Sequence, residues 1–174
     1  MAKLMRAVAW RRLERPYTRK SKFRAKAFVK AVPASRIAKH IMGETSRKFQ
    51  YSVMLCAEAD VQIRHNALES GRKSTNKILE NKIGKVGYMF RLRVYPHHVL
   101  RNNPLASGAG ADRMSTGMKM SFGKTVGIAA QLHKGQPIFE VQCDKDRIAI
   151  AKEALLGAKY KVPCSCSILV QPLK

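Results

Sequence analysis

Residues 51–59, YSVMLCAEA, and residues 87–96, GYMFRLRVYP, stand on either side of a segment with a different periodicity, and the three together decide the fold. The first stretch is an apolar run of the length of a buried strand. The second alternates apolar with basic or polar side chains, as a half-buried strand does. From Asp60 to Ile83 the apolar residues recur at three- and four-residue spacing, which predicts a helix. The pattern predicts a strand–helix–strand unit.

The residues after 124 predict the rest of the domain. TVGIAAQLHKGQPIFEVQC, residues 125–143, is typical of two strands around a turn at 134–136, and we expect a hairpin. A helix should follow, capped by Asp144 or Asp146, and SILVQP at 167–172 predicts a last strand. The predicted fold class is α+β: a single compact domain with a mixed or antiparallel sheet, two main helices, a basic N-terminal arm and a long internal loop.

The net charge of the chain limits the kinds of partner that it can have. Its 174 residues include 34 Lys and Arg against 11 Asp and Glu, a net charge of +23. Self-repulsion of this size favours a polyanionic partner, first nucleic acid and second an anionic membrane surface, since solubility alone needs far less charge. No apolar run approaches the roughly 20 residues of a spanning helix. We therefore expect nucleic acid and no membrane as the partner.

Residues 1–30 form the most basic part of the chain, with eleven Lys or Arg and one acid, Glu14. Four aromatic residues are interleaved with these cations: Trp10, Tyr17, Phe23 and Phe28. Cations neutralise phosphates and aromatic rings stack on unpaired bases, so this composition predicts an arm that grips RNA. A basic tail without a fixed structure is the alternative, and the two are compatible if the arm folds on its partner. The folded domain would then be residues 31–174.

The strand at 87–96 has two chemically different faces. One face carries Tyr88, Phe90, Leu92 and Val94, and the other carries Arg91, Arg93 and Tyr95. The first should pack in the core. The second is either a basic, aromatic face for RNA or a solvated charged face, and the strand alone does not decide between them.

Residue patterns for catalysis are weak. GMKMSFGKT resembles a phosphate-binding loop, but five residues rather than four separate Gly117 from Gly123. His97 and His98 are adjacent, so on a strand they would face opposite sides and could not bind one metal ion together. Few acids are present and no pair suited to general acid–base chemistry is evident. We expect a protein that is not an enzyme and has no cofactor.

The four cysteines do not follow a zinc-binding pattern. Cys164 and Cys166 form a C-x-C, while Cys56 and Cys143 stand alone. Structural zinc sites usually show two paired half-sites. The short apolar stretch near the N-terminus is too brief for an export signal, which indicates a reducing compartment. We expect free thiols, mostly buried, with no metal and no disulfide.

Five motifs resemble a known family. They are RRLERPYTRK at 11–20, VQIRHNALES at 61–70, RLRVYPHHVLRNN at 91–103, SGAGADRMSTGM at 107–118 and FGK at 122–124. Together they are similar to the archaeal and eukaryotic branch of one ribosomal protein family, called L-ten-e there and L-sixteen in bacteria. The archaeal form is the more similar, and the resemblance runs from about residue 11 to about residue 163. The first ten residues and Thr125 depart from the family pattern.

The resemblance implies a location and partners. Members of the family sit in the large subunit of the cytoplasmic ribosome, in a cleft of 23S-type rRNA below the central protuberance. The implied partners are large-subunit rRNA, tRNA, neighbouring ribosomal proteins and assembly factors, with one copy in each ribosome. The implied function is structural, with the internal loop helping to shape the tRNA-binding sites. A free-standing nucleic-acid-binding or modifying factor is the alternative, and a nucleotide-binding enzyme is the least favoured form of it.

The internal loop, residues 102–122, would reach toward the peptidyl-transferase centre. The stretch that contains it, RNNPLASGAGADRMSTGMKMSFGK at 101–124, has four glycines, three methionines, four basic side chains and no clear apolar period. Small residues let a backbone approach RNA closely, and methionines adapt to irregular surfaces. The alternative is a flexible surface linker. The residues that we expect near tRNA and the peptidyl-transferase centre are Arg101, Asn102, Asn103, Gly108, Gly110, Arg113, Met118, Lys119 and Lys124.

The arm, the strand face and the family motifs together give the expected rRNA contacts. They are Arg11, Arg12, Arg15, Tyr17, Arg19, Lys20, Lys22, Arg24, Arg64, His65, Arg91, Arg93, His97 and His98.

Overall fold

Two antiparallel sheets and two α-helices make up the fold. The computed structural model describes residues 5–15, 17–18, 22–26, 29, 31–103 and 123–173. In chain order, the elements within these residues are β1 (Ile41–Gly43), β2 (Tyr51–Ala57), β3 (Val61–Arg64), α1 (His65–Ile83), β4 (Met89–Leu92), β5 (His98–Asn102), β6 (Lys124–Leu132), β7 (Pro137–Cys143), α2 (Ile148–Lys159) and β8 (Cys166–Pro172). Short 3-10 turns lie at Ala7–Trp10, Arg24–Lys26 and Lys145–Arg147.

The larger sheet has five strands in the order β1-β4-β7-β2-β8, and the smaller sheet has three in the order β3-β6-β5. Each neighbouring pair in both sheets is antiparallel. The predicted α+β class and the two main helices are therefore confirmed, and the strands predicted at 51–59 and 167–172 are found at Tyr51–Ala57 and Cys166–Pro172. No helix in the described ranges has the length and apolar character needed to cross a bilayer.

The main core joins both helices to the larger sheet. The buried side of α1 carries Leu68, Gly71, Thr75 and Leu79 at the predicted spacing. Packing explains why residue 71 is a glycine, because a Cβ there would lie 3.0 Å from the ring of Phe139 in β7. The buried residues of α2 are Ala151, Ala154, Leu155 and Ala158. Small side chains on facing surfaces let the two helices approach the sheet and each other closely.

The alternating strand predicted at 87–96 is confirmed in its pattern. Tyr88, Phe90, Leu92 and Val94 are all buried, and Phe90 packs against the ring of Phe139 at a centroid distance of 5.7 Å. Regular pairing in β4 covers only Met89–Leu92. The alternation continues beyond it, with Arg93 and Tyr95 exposed and Val94 buried.

The helix predicted from Asp60 begins later than expected. Residues 61–64 form β3, which pairs with β6, and α1 starts at His65. In β3, Val61 and Ile63 enter the main core while the side chain of Gln62 bonds to the opposite side. Gln62 stands between two β-branched residues, Val61 and Ile63, and such residues favour a pleated strand over the first turn of a helix. The spacing of the apolar residues does not show the boundary between β3 and α1.

The hairpin predicted at 125–143 is wrong. Both strands exist, but β6 pairs with β3 and β5 whereas β7 pairs with β4 and β2. The turn between them passes from one sheet to the other, with Gly135 at φ 84° and its N–H donating to the carbonyl of Ala57 at 2.7 Å. The turn lies where it was expected. Contacts between residues far apart in the chain decide which strands β6 and β7 pair with.

The predicted cap of the second helix is also wrong. The N-cap position of α2 is Arg147, and it has no side-chain capping bond. Asp144 precedes a 3-10 turn instead, and its carboxylate accepts from Arg47 at 2.5 Å. An ion pair with a distant cation therefore replaces the local cap.

The basic arm is not separate from the domain where it is described. Trp10, 7% exposed, packs against Leu100 of β5 and Ala129 of β6. Val29, 2% exposed, packs against Val99 and Ile128 of the same sheet. The expectation that Trp10 stacks on RNA bases is thus wrong, because its ring is enclosed by the protein. Position 28, another aromatic of the predicted arm, lies outside the described residues.

Candidate nucleic-acid interface

Residues 5–15, here called the N-terminal segment, are held on the three-stranded sheet by their backbone. The backbone N–H of Gln62 donates to the carbonyl of Arg11 at 2.9 Å, and Gln62 Nε2 donates to the carbonyl of Trp10 at 2.9 Å. From the neighbouring strand, Gln131 Nε2 donates to the carbonyl of Glu14 at 2.8 Å. Two glutamines of β3 and β6 therefore fix this segment without using its charged side chains.

The segment presents four exposed arginines, Arg6, Arg11, Arg12 and Arg15. Among the described residues none of the four forms an ion pair with a carboxylate. Six other Lys or Arg side chains do: Arg47, Arg72, Lys73, Lys82, Lys85 and Arg93. Among the described residues, the ion pairs of Lys and Arg thus lie on the larger sheet, the helices and nearby loops.

Arg64, an expected RNA contact, supports the N-terminal segment. Its Nη1 donates to the carbonyl of Met5 at 2.9 Å, and its guanidinium carbon lies 5.9 Å from the centre of the Trp10 ring. The Arg64 side chain therefore helps to hold the N-terminal segment in place.

The base of the internal loop contacts Tyr17, in the middle of the arm. The guanidinium carbon of Arg101 lies 3.8 Å from the centre of the Tyr17 ring, within cation–π range. The backbone of Tyr17 is bound to the same strand, since Val99 N–H donates to its carbonyl at 2.9 Å. At the end of the strands Asn102 lies opposite Lys124, so the loop leaves and re-enters the sheet at neighbouring positions.

Two predicted RNA contacts, His65 and His98, are buried and bonded within the protein. His98 is 4% exposed, and its Nδ1 accepts the backbone N–H of Tyr17 at 2.7 Å. Burial, together with the charge of Arg101, lowers the pKa of His98 to about 4. His65 is 7% exposed and its Nδ1 accepts the N–H of Arg36 at 3.2 Å. Both rings are neutral structural acceptors.

The two arginines of the predicted strand face lie beside a buried carboxylate. Arg93 Nη1 donates to Glu140 at 3.0 Å, and Arg91 is paired with Glu140 in the strand register. Burial tends to raise the pKa of Glu140, yet hydrogen bonds from Gln142 and Ser52, with the charges of both arginines, bring that pKa below its ordinary value. Part of the charge of this face is therefore neutralised within the protein.

An aromatic row that the sequence did not indicate lies after β4. The ring of His40 stacks on Tyr95 at 5.5 Å, and the ring of His97 lies 4.6 Å from Tyr95. Tyr95 is 49% exposed, and His97 is also exposed. His40 is 55 positions before Tyr95 in sequence, so no local pattern could have joined them. Exposed rings of this kind can stack on unpaired bases.

The remaining predicted contacts are described only in part. Lys22 is exposed, 5.2 Å from the ring of Phe23, and Lys124 is exposed at the start of β6. Arg24 lies in a 3-10 turn. Asn102 and Asn103 are half-buried at the end of β5. Outside the described residues lie Arg19, Lys20, Gly108, Gly110, Arg113, Met118 and Lys119, with most of the loop at 102–122.

The cysteines are free thiols. Cys56, Cys143 and Cys166 are buried and Cys164 is half-buried, which fits the expectation that most are enclosed. In the part of the chain that the structure describes, no three His, Cys, Asp or Glu side chains come together in a way that could hold a metal ion.

A basic α+β domain that holds exposed arginines at fixed positions has the features of proteins that bind nucleic acid. Comparison with protein families identifies it further. The model of the family described as Ribosomal protein L16p/L10e matches residues 13–169. The chain therefore belongs to the ribosomal protein L16p/L10e family, which confirms the resemblance seen in its motifs.

Individual relatives agree with this family. A protein named large ribosomal subunit protein uL16 from Methanococcus maripaludis strain C5 is 46% identical over 156 residues, 90% of this chain and 87% of the relative. Proteins of the same name from Hyperthermus butylicus and Archaeoglobus fulgidus are 44% and 43% identical, over 91% and 93% of this chain and 85% and 90% of the relatives. All three are named as ribosomal proteins rather than as enzymes.

Proposed function

We propose that this protein is a structural component of the large ribosomal subunit that binds large-subunit rRNA through its N-terminal segment. The family and the names of the relatives support the subunit. The backbone-anchored arginines of the segment support the mode of binding. Neighbouring ribosomal proteins are expected partners in the same particle.

The observation that carries this proposal is a set of exposed arginines on a fixed backbone, none of them paired with a carboxylate of the described residues. Arginines at 6, 11, 12 and 15 are exposed on a backbone held at three carbonyls by Gln62 and Gln131. Because the backbone is fixed, the guanidinium groups are spaced before RNA arrives. Binding then costs less conformational entropy than ordering a free tail would.

The second part of the proposal concerns tRNA. The loop between β5 and β6 leaves the three-stranded sheet next to Arg101 and Tyr17, and the loop sequence is rich in small residues and cations. We propose that this loop extends from the rRNA-bound domain and helps to shape the tRNA sites near the peptidyl-transferase centre. The aromatic row of His40, Tyr95 and His97 offers a separate stacking surface for unpaired rRNA bases.

The test compares two variants that lose equal charge. In one, Arg6, Arg11, Arg12 and Arg15 are replaced by Gln. In the matched control, four cations that have carboxylate partners are replaced: Arg47, Lys73, Lys82 and Lys85. Binding to large-subunit rRNA is measured across a range of salt concentrations. Each lost phosphate contact should reduce the slope of log affinity against log salt by roughly 0.7 to 0.9.

We expect the first variant to lose several such contacts and the control to lose few, with circular dichroism showing both folded. Equal slopes for the two variants would mean that only net charge matters, and the proposed interface would be wrong. Wild-type affinity that does not change with salt would overturn rRNA binding altogether. A free-standing factor, the alternative, would leave large subunits during moderate-salt sedimentation, whereas a subunit component should remain with them.

A further inference from the structure

Two cysteines face each other where the last strand begins. The Sγ atoms of Cys164 and Cys166 are 3.6 Å apart, and Cys166 Sγ is also 3.6 Å from the carbonyl of Cys164. The residue between them is held, because the N–H of Glu58 donates to the carbonyl of Ser165 at 3.0 Å. The C-x-C therefore presents two thiols on the same side of a restrained backbone.

The four thiols of the protein are not equivalent. Cys56 is 3% exposed and Cys143 is fully buried, and burial raises the pKa of Cys56 and raises that of Cys143 to about 11. Cys164 is half-buried at the surface, and the hydrogen bond with Cys166 lowers its pKa although burial and Glu58 oppose this. The charge of Arg11 also favours the Cys164 thiolate. A thiolate at the surface is the reactive form of cysteine.

We propose that Cys164 and Cys166 form a thiol–disulfide exchange site for low-molecular-weight disulfides, in which Cys164 attacks and Cys166 resolves. The basis is the contact between the two sulfur atoms, combined with access to only one of them. Neither cysteine is itself a proposed RNA contact, although Arg11, which favours the Cys164 thiolate, is one. The exchange can be tested without RNA.

The exchange has two steps. The Cys164 thiolate attacks one sulfur of the small disulfide, forming a mixed disulfide and releasing one thiolate. Cys166 then attacks the sulfur of Cys164 and releases the second thiolate, and the two protein thiol protons end on the two released thiols. The protein loses two electrons and two protons, and the small disulfide is reduced. The sulfur atoms, 3.6 Å apart, must approach to about 2.05 Å to bond.

The first step prepares the second. The hydrogen bond with Cys164 and the charge of its thiolate are two of the four causes that raise the pKa of Cys166, the others being burial and the charge of Glu58. Formation of the mixed disulfide removes the negative charge from Cys164. The pKa of Cys166 should then fall, assisted by the nearby charge of Lys159. Cys166 is thus inert until Cys164 has reacted.

The experiment exposes the full-length protein to oxidised glutathione, with a chelator present, and follows intact mass and peptide maps over time. We expect the wild type to lose two hydrogen atoms and to carry a bridge between Cys164 and Cys166. Cys166→Ser should accumulate one glutathione on Cys164, and Cys166→Ala repeats this if serine disturbs the buried position. Cys164→Ser should react at least tenfold more slowly than the wild type. Cys56→Ser is the matched control and should behave as the wild type does.

Three results would overturn the proposal. One is modification of Cys56 or Cys143 as fast as modification of Cys164. Another is a Cys166→Ser or Cys166→Ala protein that folds but traps no adduct. The third is a wild type that keeps a stable glutathione adduct without forming the internal bridge. None of these readouts depends on RNA binding, so failure here leaves the proposed function untouched.

Discussion

Gly123 shows how one missing side chain shapes the base of the internal loop. A Cβ at this position would lie 2.6 Å from the backbone carbon of Asn102 and 2.9 Å from its nitrogen and oxygen. Backbone atoms cannot move aside as the end of a flexible side chain can. The glycine of the FGK motif therefore permits the close approach of the two chains at the loop base.

We predict that Gly123→Ala destabilises the protein by about 1–3 kcal/mol, the usual cost of overpacking. Thermal unfolding measures it. Gly157→Ala is the matched control, because its Cβ would meet only the terminal methyl of Ile78, at 3.3 Å. In α2 that change should be neutral or slightly stabilising. Equal melting temperatures for the two variants would contradict this account of Gly123.

His98 makes the stability of the protein depend on pH. Its pKa is lowered from 6.5 to about 4 by burial and by Arg101, so the folded protein keeps the ring neutral where the unfolded chain protonates it. Acid therefore favours unfolding. Stability should fall as the pH drops from about 6.5 to about 4, by at most roughly 3 kcal/mol.

His98→Asn tests this pH dependence, because an amide oxygen can still accept the N–H of Tyr17. Denaturant unfolding between pH 7 and pH 4 should show a smaller loss of stability for this variant than for the wild type. The lowered carboxylate pKa values of Glu69 and Glu140 act at the acid end of the window in both proteins. His97→Asn, at an exposed position, should keep the wild-type profile. An unchanged profile for His98→Asn would exclude His98 as the cause.

At the scale of elements, the three-stranded sheet supports two different segments. One side of β3, with Val61 and Ile63, belongs to the main core. The sheet also carries the N-terminal segment through Gln62 and Gln131 and through the packing of Trp10. The segment is thus part of the fold, and removing residues 1–30 would expose apolar surface of β5 and β6.

We predict that Trp10→Ala costs about 3 kcal/mol and releases the N-terminal segment before the rest of the domain unfolds. Limited proteolysis should then cut near the arginines of the segment under native conditions. Val8→Ala is the control, since Val8 lies in the same turn but is 64% exposed. Equal protease resistance in both variants would show that the Trp10 contact does not hold the segment.

At the scale of the whole molecule, topology brings two cationic segments onto the smaller sheet. The ion pairs that Lys and Arg form with carboxylates of the described residues lie on the larger sheet, the helices and nearby loops. The N-terminal segment and the base of the loop share the smaller sheet. This arrangement brings two RNA-facing candidates together that are about 90 residues apart in sequence.

We predict that replacing residues 104–122 by a short Gly- and Asn-containing turn spares the fold. Asn102 and Lys124 are opposite each other in neighbouring strands, so a tight turn can join them. The melting temperature and entry into large subunits should stay near wild type, while the rate of translation falls. Arg101→Gln should give a milder translation defect. A large drop in melting temperature with normal translation would make the loop a structural element instead.

Local patterns in the sequence determined the fold class, the buried face of α1, the alternation at 87–96 and the excess of charge that favours nucleic acid. These depend on neighbours within a few residues, and the motifs identified the family. Only the tertiary structure decided that β6 and β7 belong to different sheets, that Trp10 and His98 are enclosed, and that His40 stacks on Tyr95. Each of these depends on contacts between residues far apart in the chain. Burial and strand pairing are properties of the assembled core. The local sequence around an aromatic ring or a cation does not show whether that side chain faces solvent or protein.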